Sequence, residues 1–204
     1  MKLFDAARAP NPRRVHIFLA EKRVEIERVP IDIGKMEHKS PRFGALTAVQ
    51  RLPALQLDDG TVIAESTAIC RYIEELHPEP ALFGQGAKGR ALVEMWHRHV
   101  EFYLAQPIFF AFRHVHPSMA QMEVPQLSDW GEANKTKAAD FMAVLDGELK
   151  NREFIAGDDF SVADITALCV IDFGKVAKVR MPEDLAHLKR WHALVSARPS
   201  ASAT

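Results

Sequence analysis

A proline-containing segment and a Glu-Ser pair twelve residues after its proline carry the residues best suited to bind a small charged molecule. Pro53 stands where a strand would begin, a position that tolerates proline. Leu52 before it would present an unpaired backbone N–H and C=O at a sheet edge, where an extended peptide can pair. Glu65 suits an ammonium group, and Ser66, as a predicted N-cap, suits a carboxylate. The spacing favours a site for an α-amino acid head group. The alternative is that Ser66 only caps its helix and Glu65 is a solvated charge.

The first loop of the chain contains no hydroxyl or thiol. Between Asp5 and Pro12 there is no Ser, Thr, Tyr or Cys, and Asn11 is the only neutral side chain with hydrogen-bond donors. Asn is a good N-cap and Pro is favoured at the first helical position, so Asn11 could cap a helix. The same amide could instead donate to an anion, and the residues leave both roles open.

Four histidines lie on or just after one predicted helix, at His97, His99, His114 and His116. Their spacings of 2, 15 and 2 do not give the pair four residues apart that shares a helix face. No Cys lies among them, and we predict no metal site.

The order of predicted elements over residues 1–78 is that of a thioredoxin fold. Residues 2–4 and 24–33 read as strands on either side of a helix, which is a βαβ unit. Ser40 and Pro41 predict the start of a short second helix. Two short strands around an Asp-Asp-Gly turn then predict a hairpin, and an amphipathic helix follows it.

The pattern then changes to helices alone, with residues 79–89 as a linker and residues 90–204 as an all-helical domain. We predict helices from about residue 90 toward residue 114, and over 135–150, 161–179 and 183–197, followed by a frayed tail. Ser161 and Asp164 form a capping box, a folding device that fixes the start of a helix. The helix over 135–150 is expected to face inward with Ala138, Phe141, Val144, Leu145 and Leu149.

Composition limits the class of protein. The apolar fraction of 48% is ordinary for a globular chain, and 26 basic against 27 acidic side chains argue against a nucleic-acid partner. Cys70 and Cys169 form no CxxC pair, and we expect both to be reduced and buried. Neither a signal peptide nor an apolar run of 18 residues is present, so we expect a cytoplasmic protein without a membrane span.

These features resemble the cytosolic glutathione transferase family over roughly residues 1–199. The Leu-Pro-Ala-Leu segment, the hairpin and the Glu-Ser pair resemble its glutathione site, and the capping box resembles its second domain. The resemblance implies a cis bond before Pro53, pairing of Leu52 with the cysteinyl backbone of glutathione, and binding of the γ-glutamyl end by Glu65 and Ser66. It also implies polar contacts to the glycine carboxylate from His38 and Gln50, with Lys39 as the alternative to His38.

The first loop departs from the common family pattern, in which a Tyr, Ser or Cys faces the sulfur. The chain is most similar to the atypical bacterial and yeast-type classes, and it has Ala9 where a related bacterial class has Thr. The resemblance leaves Asn11 as the candidate that stabilises the glutathione thiolate. A helix crossing above the sulfur could add His114 or Ser118, directly or through a water molecule.

The resemblance therefore implies an enzyme with glutathione as co-substrate, no metal, and a small electrophile as second substrate. It further implies a homodimer. Two alternatives remain at this point, namely a glutathione-dependent disulfide or peroxide reductase using the same site, and a weakly catalytic glutathione-binding or interaction protein.

Overall fold

The computed structural model describes residues 1–6 and 9–203, and the chain divides into two compact units. The first unit is Met1–Ala81 together with the chain from Pro199 onward, and the second is Leu82–Arg198. The predicted domains over 1–78 and 90–204, with their linker over 79–89, stay a prediction.

The first unit is built on a four-stranded sheet of order β2-β1-β3-β4. Strands β1 (Lys2–Asp5) and β2 (Glu27–Pro30) are parallel, and β3 (Ala54–Gln56) runs antiparallel to both β1 and β4 (Val62–Ala64). Helices α1 (Pro10–Lys22), α2 (Pro41–Gly44) and α3 (Ser66–Leu76) and a 3-10 turn at Glu37–Lys39 complete this part of the unit. The order confirms the predicted thioredoxin-like arrangement, including the hairpin.

Strand β2 is shorter than the predicted span of residues 24–33. Its partner β1 offers only four residues, so the pairing runs from Lys2 opposite Glu27 to Asp5 opposite Pro30. Proline has no N–H, so Pro30 cannot donate to a ladder. The β-branched residues on either side therefore lie outside the strand.

A buried acid–histidine pair joins the end of β1 to α1 across the first loop. The Asp5 carboxylate lies 2.5 Å from His16 Nε2, and the His16 side chain has no exposed surface. The pair connects the two elements on either side of the loop that leads to Asn11.

The end of the chain packs on the first unit. A 3-10 turn at Pro199–Ser202 lies against α1, where Arg13 Nη2 donates to the Ala201 carbonyl at 3.1 Å and Ser200 Oγ donates to Glu21. The prediction of a frayed tail is therefore wrong for residues 199–203, because contacts distant in sequence order it.

The second unit is helical. Helix α4 (Gly86–His99), a π-helical segment (Val100–Ala105) and α5 (Gln106–Val115) follow one another without a break. Helices α6 (Ser128–Leu149), α7 (Val162–Ala177) and α8 (Ala186–Ser196) complete it. In the described part of the chain, no helix combines the length and apolar character needed to cross a membrane.

The inward face of α6 differs from the predicted one at Val144, and Phe141 is only half-buried. Ala138, Leu145 and Leu149 are fully buried as expected, but Val144 is 51% exposed and Met142 is buried instead. Met142 lies four residues after Ala138 and three before Leu145, on the same helical face, whereas Val144 is rotated by about 100° from Leu145.

Candidate functional site

Four chain segments meet at one end of the sheet of the first unit. Ala54 pairs with Phe4 near the end of β1 and with Ala64 at the end of β4, both in antiparallel register. The loop after β1, the residues before β3 and the start of α3 therefore lie at this end. The end of β2 does so as well, because β2 runs parallel to β1. The topology brings the predicted site residues of the first unit to one sheet end.

Leu52 lies just outside the ladders of the sheet. The paired residues of β3 begin at Ala54, two positions later, and the Leu52–Pro53 peptide is cis as predicted. Strand β3 is an interior strand, so the prediction that Leu52 lies along a sheet edge is wrong. Its backbone N–H and C=O are outside the ladder because Leu52 precedes the strand, and an extended ligand could still pair with them.

Helix α3 begins at Ser66, and Glu65 is its N-cap. The prediction that Ser66 is the N-cap is therefore wrong by one residue. The reason is the backbone of Glu65, whose φ of 70° makes the turn into the helix one residue earlier. Ser66 is only 6% exposed, within the first turn, where backbone N–H groups have no helical partner. A non-glycine residue in this φ region costs about 1–3 kcal/mol and is typical of ligand-binding sites.

A cationic segment flanks Leu52. Lys39 Nζ donates to the Gln50 carbonyl at 3.5 Å, and Gln50 Nε2 donates to the Ser40 carbonyl at 3.4 Å. His38 is 6% exposed. Burial first, and then the charges of Lys39 and Arg51, hold the pKa of His38 below its usual range. The cluster has an excess of positive charge suited to a carboxylate.

Helix α1 begins two residues earlier than its Asn-Pro pair suggests. Ala9 is the N-cap and Pro10 the first helical residue, because proline fits that position without loss of a hydrogen bond. The prediction of Asn11 as N-cap is therefore wrong. Asn11 Oδ1 is buried, and it has no hydrogen-bond partner among residues 1–6 and 9–203. Ala7 and Arg8 of the predicted loop lie outside the described residues.

The first turn of α1 offers a single backbone donor. Pro10 and Pro12 have no N–H, and Arg13 N–H already donates to the Ala9 carbonyl at 3.1 Å. An anion at this helix end could therefore be met by only one main-chain N–H of the turn, that of Asn11. Asn11 therefore supplies both a side-chain amide and a main-chain N–H at the start of α1.

The histidines of the second unit lie in separate surroundings. His97 Nε2 is 3.1 Å from Thr166 Oγ1, His99 packs between the rings of Trp96 and Tyr103, and His116 Nδ1 lies 2.8 Å from Ser118 Oγ. Within residues 1–6 and 9–203, no three His, Cys, Asp or Glu side chains converge as a metal site.

His114 lies near the end of α5 and is 9% exposed. Its Nδ1 accepts a hydrogen bond from the Leu127 backbone N–H at 3.2 Å. Its Nε2 lies 3.8 Å from Glu123 Oε1. The neutral ring therefore carries its hydrogen on Nε2, since Nδ1 serves as the acceptor.

Comparison with known proteins gives the family. The model of the glutathione S-transferase N-terminal domain matches residues 1–75, and that of the C-terminal domain matches residues 129–199. Glutathione S-transferase 2 of Saccharomyces cerevisiae is 36% identical over 203 residues, covering 98% of this chain and 87% of the relative. The chain belongs to the glutathione S-transferase family.

Solved structures agree with this transferase membership over the full length. A glutathione S-transferase domain-containing protein of Marinobacter aquaeolei VT8 has a TM-score of 0.94 and 40% identity, over 98% of this chain and 99% of that one. A transferase of class Gtt2 from Vibrio parahaemolyticus has a TM-score of 0.87 and 39% identity, over 99% and 96%. The predicted family and the predicted fold, a thioredoxin-like domain followed by a helical bundle, are confirmed.

Two kinds of contact in this transferase were missed by sequence reasoning. Arg51 is one of two cations near His38. Its position directly before the Leu-Pro pair was the only feature of the sequence that could have indicated a role in this site. Glu123 and Leu127, which contact His114, carry no signal in the sequence, because they reach the histidine through the connection between α5 and α6.

The lowered pKa of His38 predicts that stability decreases toward acid pH. The unfolded chain binds a proton at His38 near its ordinary pKa, whereas the folded transferase binds it only at lower pH. The free energy of unfolding therefore falls as pH decreases through about 6.5, the ordinary value. We expect His38→Gln to reduce the change of the urea unfolding midpoint between pH 7.5 and pH 5.5. His77→Gln, which removes an exposed imidazole, is the control, and equal slopes in both variants would contradict the assignment.

Proposed function

We propose that this protein is a glutathione transferase that binds glutathione as the thiolate and adds its sulfur to a small electrophile. Leu52 pairs with the cysteinyl backbone, and Glu65 and Ser66 hold the γ-glutamyl end. The observation that carries the proposal is the common sheet end of the segments around Asn11, Leu52 and Glu65, which is set by the register of three strands.

The charges around this sheet end suit the two ends of glutathione. Glutathione carries an ammonium and a carboxylate on its γ-glutamyl residue, and a second carboxylate on its glycine. The Glu65 carboxylate and the free N–H groups of α3 match the first pair. His38, Lys39 and Gln50 are the proposed contacts of the glycine carboxylate, and the neighbouring Arg51 adds positive charge there.

Asn11 is the proposed donor to the sulfur. A free thiol with a pKa of about 8.5 is only about 3% ionised at pH 7, and lowering that pKa by two units requires roughly 2.7 kcal/mol. Charge-assisted hydrogen bonds from the side chain and N–H of Asn11 are of that size. His114 is proposed as a supplementary donor.

Asn11→Ala is expected to raise the pKa of bound glutathione by about one unit. The reason is the loss of one hydrogen bond to a charged acceptor, worth ~1.5 kcal/mol. The thiolate absorbance of the complex, followed against pH, measures this shift. Asn151→Ala, at an exposed site, is the control. If the Asn11→Ala curve coincides with that of the unchanged protein, Asn11 is not the donor.

The absence of a hydroxyl between Asp5 and Pro12 favours a second candidate, a glutathione-dependent disulfide or peroxide reductase. In that reaction the same glutathione thiolate attacks a disulfide sulfur, which forms a mixed disulfide and releases a thiolate, or attacks a peroxide oxygen, which forms a sulfenic acid and releases an alcohol. A second glutathione then attacks the sulfur of this product, so that glutathione disulfide forms and a thiol or water is released. Rates with an aryl halide and with a mixed disulfide, measured on one preparation, separate the two activities. A protein that binds glutathione but turns over neither substrate would be the weakly catalytic binding protein.

The remaining proposals follow from family membership. We infer that the protein acts in the cytoplasm, forms a homodimer, takes a small-molecule electrophile as second substrate, and needs no metal. The balanced charge, with 26 basic and 27 acidic side chains, supports the absence of a nucleic-acid partner.

A further inference from the structure

Helix α1 carries two buried polar pairs that join it to different neighbours. In its second turn, His16 Nε2–H donates to the Asp5 carboxylate over 2.5 Å, and the two side chains are 0% and 6% exposed. At its last residue, Lys22 Nζ lies 2.5 Å from Glu74 Oε2, and these side chains are 0% and 10% exposed. The first pair ties α1 to the end of β1, and the second ties it to α3.

Asp5 is a fixed anchor for the histidine. It is the last paired residue of β1, opposite Pro30, and its carbonyl accepts a hydrogen bond from Ile31 N–H at 2.8 Å. The other ring nitrogen of the histidine, His16 Nδ1, is buried and has no hydrogen-bond partner within residues 1–6 and 9–203. In that part of the chain, the hydrogen bond to the sheet alone sets the direction of the His16 ring.

The pair contributes direction more than stability. Val15, Ile17 and Phe18 beside it are fully buried, and such apolar contacts hold a helix on a sheet without fixing its rotation or its position along the axis. Apolar residues of similar volume often replace a buried acid–base pair without loss of stability. A hydrogen bond, in contrast, is satisfied only over a narrow range of distance and angle, so it selects one placement of the helix.

The placement of α1 determines where Asn11 lies. Asn11 is five residues before His16 on the same helix, about 7.5 Å along its axis. A catalytic group displaced by about 1 Å from the reacting atom loses much of its effect. Asp5 and His16 are buried, so neither side chain reaches a ligand itself.

We propose that Asp5 and His16 are positioning residues, which hold the start of α1 so that Asn11 meets the sulfur of glutathione. The inference rests on the proposed role of Asn11 in stabilising the thiolate. All three residues belong to the first unit, which also contains Leu52 and Glu65. The pair acts only through the helix, and it exchanges no proton with the thiol.

The first measurement is the titration of the bound glutathione thiol. His16→Leu removes the link to Asp5 and should raise the pKa of the bound thiol by about half a unit or more, which lowers the thiolate fraction below that pKa about threefold. The affinity for glutathione should change little, because Leu52 and Glu65 lie outside α1. His16→Gln, whose amide can still donate to the carboxylate, should lie closer to the unchanged protein than to His16→Leu.

Lys22→Met is the matched control. It breaks the second buried pair of α1, at a residue about 16.5 Å along the axis from Asn11. We expect it to destabilise the fold without moving the thiol titration, because the link between β1 and α1 stays intact. A titration shift of equal size in Lys22→Met would overturn the specific role of Asp5 and His16.

Hydrogen exchange without glutathione measures the positioning by itself. In His16→Leu we expect the exchange of backbone amides over residues 13–16 to become roughly tenfold faster or more, because the start of α1 loses its link to the sheet. In Lys22→Met the faster exchange should be confined to residues 19–22. Unchanged exchange over residues 13–16 in His16→Leu would overturn the positioning role, whatever the titration.

A second variant covers the case in which His16→Leu does not fold. Asp5→Leu combined with His16→Leu leaves no buried carboxylate without a partner, so it should restore stability while the directional link stays broken. The changes in exchange and titration should therefore persist in the double variant. A return of both to the values of the unchanged protein would overturn the proposal.

The titration of Asn11→Ala separates this proposal from the function on which it rests. A thiol pKa that is moved by Asn11→Ala and not by His16→Leu would overturn the positioning role alone. Faster exchange in His16→Leu, with a thiol pKa unmoved in both variants, would instead overturn the proposed role of Asn11.

Discussion

Replacing Glu65 and Ser66 together by alanine is expected to weaken glutathione binding by a factor of roughly 10² to 10⁴. Two charge-assisted hydrogen bonds, at about 1.5–3 kcal/mol each, give this range. Calorimetric titration with glutathione measures it. Glu75→Ala, an exposed change on the same helix, is the control. Equal affinity in the double variant and the control would remove the γ-glutamyl assignment.

The backbone of Glu65 allows binding to be separated from folding. Its φ of 70° strains every residue but glycine, so Glu65→Gly relieves strain while it deletes the carboxylate. We expect this variant to keep or raise the unfolding temperature and still lose affinity. Loss of both together would indicate that Glu65 supports the fold and not the ligand.

Asp164→Ala is expected to cost about 3–5 kcal/mol of folding free energy, a large part of the 5–15 kcal/mol typical of a domain. The fully buried carboxylate accepts hydrogen bonds from Ile155 N–H at 2.9 Å, from Trp191 Nε1–H at 2.8 Å, and from the N–H and hydroxyl of Ser161 at 3.0 Å. Burial raises the pKa of Asp164, and these four donors oppose that effect. Removing the acceptor leaves buried donors unpaired.

Urea unfolding measures the effect of Asp164→Ala against an exposed control, Asp159→Ala. The control should lie within about 0.5 kcal/mol of the unchanged protein. Asp164→Asn retains one acceptor oxygen but turns an NH₂ group toward donors, so we expect an intermediate loss. A loss below about 1 kcal/mol for Asp164→Ala would contradict the role of this carboxylate as the centre of the network.

The features predicted correctly from sequence are those whose determinants are close in the chain. The Asp-Asp-Gly turn of the hairpin and the capping box of Ser161 and Asp164 each need only a few consecutive residues. The other contacts of Asp164 could not be predicted, because Trp191 comes 27 residues later and only the packing of α8 brings it there.

The N-caps of α1 and α3 were predicted wrongly, because residue preferences for the N-cap position favour Asn11 and Ser66 over Ala9 and Glu65. Asn11 and Ser66 are both good N-caps, yet Pro10 begins α1 two residues earlier and the positive-φ backbone of Glu65 begins α3 one residue earlier than a Ser66 cap would. N-cap preference amounts to about 1 kcal/mol, so the rest of the fold can override it. The tautomer of His114 depends on a backbone N–H thirteen residues away, which no local pattern encodes.

The two prolines in the first turn of α1 also have a spectroscopic consequence. An amide proton spectrum contains no signal from Pro10 or Pro12, so the first three helical positions contribute one backbone resonance, that of Asn11. A single cross-peak would therefore follow the arrival of the ligand sulfur at this helix end. Titrated with glutathione and then with a glutathione analogue lacking the thiol, that resonance separates contact with the sulfur from contact with the peptide.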